Sequence, residues 1–296
     1  MRTPAAEYLI RQRVMALGRA LPAAKTGNAA SLHQARVATR RLRAALPIVG
    51  SGAKADKLAR SVRRLTRALG PVRELDVELL ILDELEKRGE VPCAAVDRLR
   101  ASIIEERQHL QADVRDRIDD FDIDKLRKRA VSVARRQRDD KRPRDVQDAA
   151  FARARAGRRA RRLEAAIEDA AGLYLPDRLH AVRIAVKKLR YTLELMPRAA
   201  SSRNAARVRS LKQAQDLLGR MHDLEVLIAR TRGIQSSPGA STLQVSADLD
   251  RLVRRLETEC RQLHGHYMAA RPALLSLSHR LMTAGKPRDR ARSSAA

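Results

Sequence analysis

Two short segments of this chain place histidine, arginine and lysine at matching positions. SLHQARVATRRLRAAL occupies residues 31–46, and RLHAVRIAVKKLRYTL occupies 178–193. Aligned without gaps, they are identical at Leu32, His33, Arg36, Ala38, Leu42, Arg43 and Leu46 of the first copy. Arg40 and Arg41 stand opposite Lys187 and Lys188, so positive charge survives where identity does not. With His33 at zero on a wheel of about 100° per residue, Arg40, Arg36 and Arg43 fall at about −20°, −60° and −80°. The second copy puts His180, Arg183, Lys187 and Arg190 on the same arc. Tyr191 joins that face, and Arg41 and Lys188 flank the stripes. Opposite them lie Ala35, Ala38, Leu42, Ala45 and Leu46 in one copy, and Val182, Ala185, Leu189 and Leu193 in the other.

Such a stripe is unfavourable by itself, since like charges at i, i+4 repel by roughly 0.2–0.5 kcal/mol a pair. Neither copy has an Asp or Glu between its histidine and its last arginine. The missing counter-charge implies one supplied from outside. Arginine suits phosphate because its planar fork donates two parallel hydrogen bonds. A histidine at the head of the stripe can donate to a phosphate oxygen, and an arriving anion favours the imidazolium. Metal ligation is a weaker alternative: no HxxxH pair accompanies either histidine, and His264-x-His266 has the wrong helical spacing. A phospho-accepting histidine lacks an adjacent acid or donor site. A solvated basic face and a histidine that merely packs are the ordinary readings of one copy, and the matched pair argues against both.

A second repeat follows the first. LGPVRELDV at 69–77 aligns with LGRMHDLEV at 218–226, 149 residues on, where the first pair is 147 residues apart. Glu74 and Asp76, like Asp223 and Glu225, are spaced i, i+2 and cannot chelate from one helix face. They are expected to steady a nearby Arg or Lys, or to sit near a helix start. Arg63 aligns with Lys212, and with Arg73 these complete the candidate anion site. P-loop, GxSxG and HExxH motifs are absent. Glu84-Leu85-Glu86-Lys87 lies mid-helix, without the strand that an acidic phosphohydrolase signature requires. Binding without catalysis, cofactor or metal is the expectation.

The whole composition agrees with an anionic partner. The 296 residues carry a formal charge of +27, with 51 arginines among 62 basic residues. An Arg-rich genome could produce part of that excess, so placement matters more than the total. Aromatics are 2% of the chain, which leaves few rings for base stacking at about 1–3 kcal/mol each. Non-specific nucleic-acid binding remains the rival reading. Cys93 and Cys260 form no CxxC pair, the start MRTPAAEYLIRQR meets charge before any apolar core, and no apolar run approaches the ~20 residues of a membrane span. A cytoplasmic protein without a membrane partner is expected.

These residues must be carried on helices. Apolar positions recur at i, i+3, i+4 and i+7 through Ala-, Leu-, Arg- and Glu-rich stretches, with no alternating strand pattern. The pattern predicts helices over 4–20, 32–49, 54–69, 71–88, 93–118 and 123–138, then 145–171, 178–196, 203–218, 220–232, 243–269 and 272–284. Breaks are read at Pro22 to Gly27, Gly50 to Gly52, Gly70-Pro71, Gly89 to Pro92, Pro197, Gly219 and Ser236 to Gly239. The two repeats imply an all-α fold of two pseudo-symmetric bundles, 1–142 and 143–285, and the charged, small-residue tail over 286–296 is expected to be disordered.

LHQARVATRRLRAAL and LHAVRIAVKKLRYTL, each followed by LG-x(3)-[ED]-x-[DE]-V, resemble the CHAD domain, the conserved histidine α-helical domain. The resemblance spans nearly the whole chain. It implies two helical bundles with pseudo-two-fold symmetry, a basic channel between them, and inorganic polyphosphate as ligand. It also implies an association with polyphosphate granules. Members are often fused to a triphosphate-tunnel enzyme domain, which is not found in this sequence. The second copy departs from the first at His222 opposite Arg73, and at Gln213 and Asp216 opposite Arg64 and Arg67, which makes that side less basic.

Overall fold

The computed structural model describes residues 5–49, 53–139, 144–194, 196, 202–236 and 243–284. Every regular element among them is an α-helix. In order these are α1 (Ala5–Lys25), α2 (Ala29–Val49), α3 (Ala53–Ala68), α4 (Gly70–Lys87) and α5 (Cys93–Asp119). Then come α6 (Ile123–Asp139), α7 (Arg144–Asp169), α8 (Pro176–Glu194), α9 (Ser202–Gln235) and α10 (Leu243–Ala284). The all-α expectation holds. The tail 286–296, the breaks at 50–52, Pro197 and 237–239, and residues 140–143 of the central connection lie outside the described residues.

Two positions read as breaks are not breaks: α1 runs on through Pro22, and α9 continues across Gly219. The helices expected over 243–269 and 272–284 are one, α10, which contains Pro272. A helical glycine is only about 1 kcal/mol worse than alanine, and proline about 3 kcal/mol. Burial on both sides outweighs these penalties. Leu17, Leu21 and Ala24 are buried around Pro22, Leu218, Met221 and Leu224 around Gly219, and Tyr267, Leu274 and Leu277 around Pro272. At Gly70-Pro71 the break is real. Pro71 has no N–H to offer the carbonyl of Arg67, and only Leu69 separates α3 from α4.

Packing gathers the residues into two compact units. One comprises Met1–Lys141 with Arg220–Gln262, the other Arg142–Gly219 with Leu263–Ala296. These differ from the sequence halves 1–142 and 143–285, because α9 and α10 each contribute to both units. Carboxylates of α4 and α5 draw residues 220–262 into the first unit. Arg230 of α9 donates to Glu78 on α4 and to Glu106 on α5. Arg220 bridges Glu84 at 2.9 Å and Glu259 at 2.8 Å, and Arg255 of α10 donates to Glu90 at 2.7 Å. The first unit's core takes Ile10 and Leu17 from α1, Leu32 and Leu42 from α2, Leu58 and Val62 from α3, and Val72 from α4. In the second unit Leu163 and Ile167 of α7, Val182, Val186 and Leu189 of α8, Leu211 of α9 and Leu277 of α10 are buried.

Glu78 is 2% exposed, and burial pushes its carboxyl above the ordinary range although Arg230 pulls it down. Such a group contributes stability that is fully present below its unfolded pKa and is lost as pH rises through the folded one. Replacing Arg230 with Met should therefore cost about 3 kcal/mol in urea unfolding at neutral pH, by leaving a buried carboxylate unpaired. Part of that loss should return as pH is lowered toward about 5, where Glu78 takes up its proton more readily. A loss independent of pH would assign it to packing instead.

Candidate functional site

The first stripe starts at a tightly held helix N-terminus. Gly27 turns the chain with φ +88°, Asn28 accepts the Ser31 N–H on its side chain at 2.9 Å, and α2 begins at Ala29. Asn at this position satisfies one of the donors that a helix start leaves unpaired. Arg107 of α5 then clamps the turn, donating from Nη2 to the Gly27 carbonyl at 2.7 Å and from Nε to Asp76 at 2.7 Å. Gln111 donates to the carbonyls of Ala24 and Lys25 at the end of α1. The expectation that Asp76 holds a basic residue is met, although its partner, Arg107, has no mark in the repeats. His33 follows one turn into this anchored helix.

Burial divides α2 as the wheel requires. Leu32, Ala35, Ala38, Leu42, Ala45 and Leu46 are buried, His33 and Arg43 are exposed, and Arg36 and Arg40 are half-buried. His33 is held below the ordinary imidazole range by burial first, then by Arg73 of α4 and by Arg40 and Arg36. Arg43 is pushed down by burial, then by Arg63, Arg40 and Arg67. Charges from α2, α3 and α4 of the first unit thus form two overlapping sets, Arg36, Arg40 and Arg73 around His33 and Arg40 and Arg63 around Arg43, with Arg40 common to both. Arg67 belongs to the second set and was missed, although Arg60, Arg63 and Arg67 repeat at helical spacing on α3. Arg73 is also pushed down by burial, while Asp76 and Asp223 favour its charge. Arg41 stays half-buried at the edge of α2 and is not among the charges acting on His33.

The second stripe lies on α8, in the second unit. Leu179, Val182, Val186, Leu189 and Leu193 are buried, Ala185 is half-buried, and His180, Arg183, Lys187 and Arg190 occupy the other side. His180 is pushed down by burial, then by Arg183 and Lys187, while Asp177 opposes them. Arg190 is more committed than its counterpart Arg43. Its Nε donates to Gln215 at 3.0 Å, it pairs with Glu194, and its guanidinium lies 4.5 Å over the Tyr191 ring. Tyr191 therefore steadies Arg190. Lys188 and Lys212 are exposed on α8 and α9. This stripe carries counter-charge at both ends, where the first has none beside its histidine.

A third basic face was also missed. On α7, Arg155 is pushed down by burial and by Arg159 and Arg158, and Arg159 by burial and by Arg162 and Arg158. Four arginines at i, i+3, i+4 and i+7 between 155 and 162 were legible as a stripe but have no match in the first copy. Among the described residues no three His, Cys, Asp or Glu side chains group as metal ligands, and no helix is long and apolar enough to cross a membrane.

The family model described as the CHAD domain matches residues 9–232 of this chain. The crystal structure of the CHAD domain from the plant Ricinus communis superposes with a TM-score of 0.60 at 20% identity, covering 92% of this chain and 90% of that one. PptA from Streptomyces chartreusis gives 0.61 at 14% identity, covering 90% and 97%. At these identities the likeness is one of fold. No curated protein sequence matches the chain.

The electrostatics of the histidines can be checked by NMR titration of the free protein. Both His33 and His180 should titrate below the reference value of 6.5. Arg73→Ala removes a positive neighbour of His33, so its midpoint should rise while that of His180 stays. Equal movement of both would mean that the change is not local.

Proposed function

The chain belongs to the CHAD domain family, and we propose that it binds inorganic polyphosphate on its two helical stripes, holding the anion without transforming it. The observation that carries this reading is the cluster of the first unit, where every charge acting on His33 and on Arg43 is an arginine. Desolvated, mutually repelling guanidinium groups are relieved by an anion that places several charges along about 15 Å, the span of α2 from His33 to Arg43. Arg36, Arg40, Arg41, Arg43, Arg63 and Arg73 neutralise one stretch of phosphates, and Arg183, Lys187, Lys188, Arg190 and Lys212 another. His33 and His180 donate hydrogen bonds, and Tyr191 fixes Arg190. A ligand made only of phosphate also suits a surface whose one stripe-side ring is already stacked on an arginine. In a cell such a protein belongs in the cytoplasm, with polyphosphate granules.

The rival is a basic protein that takes up nucleic acid without selection, which the charge of +27 favours. Labelled long-chain polyphosphate competed with duplex DNA at physiological salt separates the two. DNA at equal phosphate concentration should leave the complex intact, and displacement would overturn the proposal. Affinity should fall steeply with ionic strength as condensed counterions are released. Arg40→Ala or Lys187→Ala should weaken binding and flatten that slope. The exposed α5 residues Arg98 and Arg117 should matter little as Ala variants. Equal losses at all four would mean diffuse charge.

Protons report on the histidines. Both are disfavoured as imidazolium in the free protein, and a bound polyanion reverses the field that acts on them. Binding near neutral pH should take up protons, and affinity should rise as pH falls toward about 6. Calorimetry in two buffers of different ionisation enthalpy counts them. An uptake of zero, unchanged in a His33→Ala, His180→Ala double variant, would remove the histidines from the site. Proton release on adding Zn²⁺, with loss of polyphosphate binding, would favour the chelating role instead.

A further inference from the structure

The Leu-Gly pair that opens the second repeat looks like turn chemistry, yet its glycines lie against the first repeat. A Cβ built on Gly70 would sit 2.9 Å from Nη1 of Arg36. The corresponding Cβ on Gly219 would sit 3.8 Å from Nε of Arg183, the residue that matches Arg36. The first distance is closer than real contacts allow, and the second is ordinary packing. Nη1 of Arg36 also reaches the Thr66 carbonyl in the last turn of α3, at 3.5 Å. That carbonyl belongs to a helix end, where partial negative charge attracts a cation. The end exists because Pro71 stops α3. In the second copy Arg220 takes the place of Pro71, α9 runs through, and Gln215 replaces Thr66.

We propose that Gly70 is a positioning residue for anion binding. Its missing side chain leaves room for the Arg36 guanidinium in the corner between α3 and α4, which holds Arg36 in line with His33 and Arg40. Gly219 has no such duty toward Arg183. The inference rests on the polyphosphate reading above and adds an asymmetry to it. The first stripe offers a seated arginine at this position. In the second, the glycine neither seats nor restricts Arg183. A seated Arg36 loses less freedom on binding than the same side chain would if Gly70 left it no room.

The clash at Gly70 is with the far end of a flexible side chain, so an alanine there displaces Arg36 without disturbing the fold. Gly70→Ala should therefore keep or slightly raise Tm, yet bind long-chain polyphosphate roughly tenfold more weakly, the scale of one charge-assisted hydrogen bond. Gly219→Ala should raise Tm, because it removes a glycine from a helix interior. Its affinity should stay within about twofold, since 3.8 Å is van der Waals contact. In an Arg36→Ala background, Gly70→Ala should have no further effect on affinity, which a merely structural role would not predict. If Gly70→Ala binds like the parent while Arg36→Ala is weakened, the positioning role is wrong and the site stands. An equal loss with and without Arg36 would also overturn it, because Gly70 would then act through the fold. If Arg36→Ala itself binds like the parent, the site reading fails instead.

Discussion

Mutual repulsion among cations on one face of α2, α3 and α4 is the constraint around which this structure is arranged. Arg73, Arg40 and Arg36 act on His33, Arg63, Arg40 and Arg67 act on Arg43, and burial makes the charge harder to bear on His33, Arg43 and Arg73. Asp76 and Asp223 ease this at Arg73, and the opposite side of each helix carries the rest. Leu32, Ala35, Leu42 and Leu46 lie at 0–1% exposure, and at roughly 25 cal/mol per Å² their burial outweighs repulsions of a few tenths of a kcal/mol. Small alanines among them let α2 approach its neighbours closely. The stripe is thus a stiff, strained surface on a well-buried support.

The carboxylates are the other half of that arrangement. α4 carries Asp76, Glu78, Asp83, Glu84 and Glu86, and each is engaged with an arginine that does not belong to either stripe: Arg107, Arg230, Arg100, Arg220 or Arg88. Exposed pairs of this kind stabilise little, about 0–1 kcal/mol. Their larger effect is on distribution, because acids paired with other arginines leave arginines as the charges that act on His33 and Arg43. Asp76 combines both duties. Buried at 4% exposure, it holds Arg107, and Arg107 holds the Gly27 carbonyl at the turn from which α2 starts. The helix that presents His33 is therefore aligned by a charge on α4.

Much of this was legible in the sequence. The wheel drawn from spacing alone separates the buried and polar sides of α2 and α8 with Ala185 as the one half-buried residue on the far side. The helix ends expected at Pro22 and Gly219 rest on local propensity, which tertiary burial outweighs, and the same holds where α10 joins the two helices expected on either side of residues 270–271. Arg67 was passed over because its partner in the second copy is Asp216, and matching copies hides residues that only one copy uses. The α7 arginines were lost the same way. Arg107 and the Gly70–Arg36 contact had no local signal at all, since they join residues 80 and 34 positions apart. Residues 220–262 group with the first unit because Arg220, Arg230 and Arg255 find their carboxylates in α4, α5 and the connection between them.

The two stripes differ in the counter-charge beside them, and on the proposed reading the histidines explain how either tolerates the absence of an anion. A permanent cation at position 33 would add its repulsion to that of Arg36, Arg40 and Arg73 whether or not an anion were present. Histidine adds it only when protonated, and burial with three arginines disfavours that protonation in the free protein. On the proposed reading, the anion then creates the charge that it needs. The second stripe reaches the same compromise differently. Asp177 stands beside His180, Glu194 and Gln215 hold Arg190, and Tyr191 covers its face. Those partners lower the strain of the empty stripe, and an anion must compete with them. On the same reading, the first stripe, with arginines alone acting on His33 and Arg36 seated at the α3–α4 corner, is the one whose free energy would fall further when phosphate arrives.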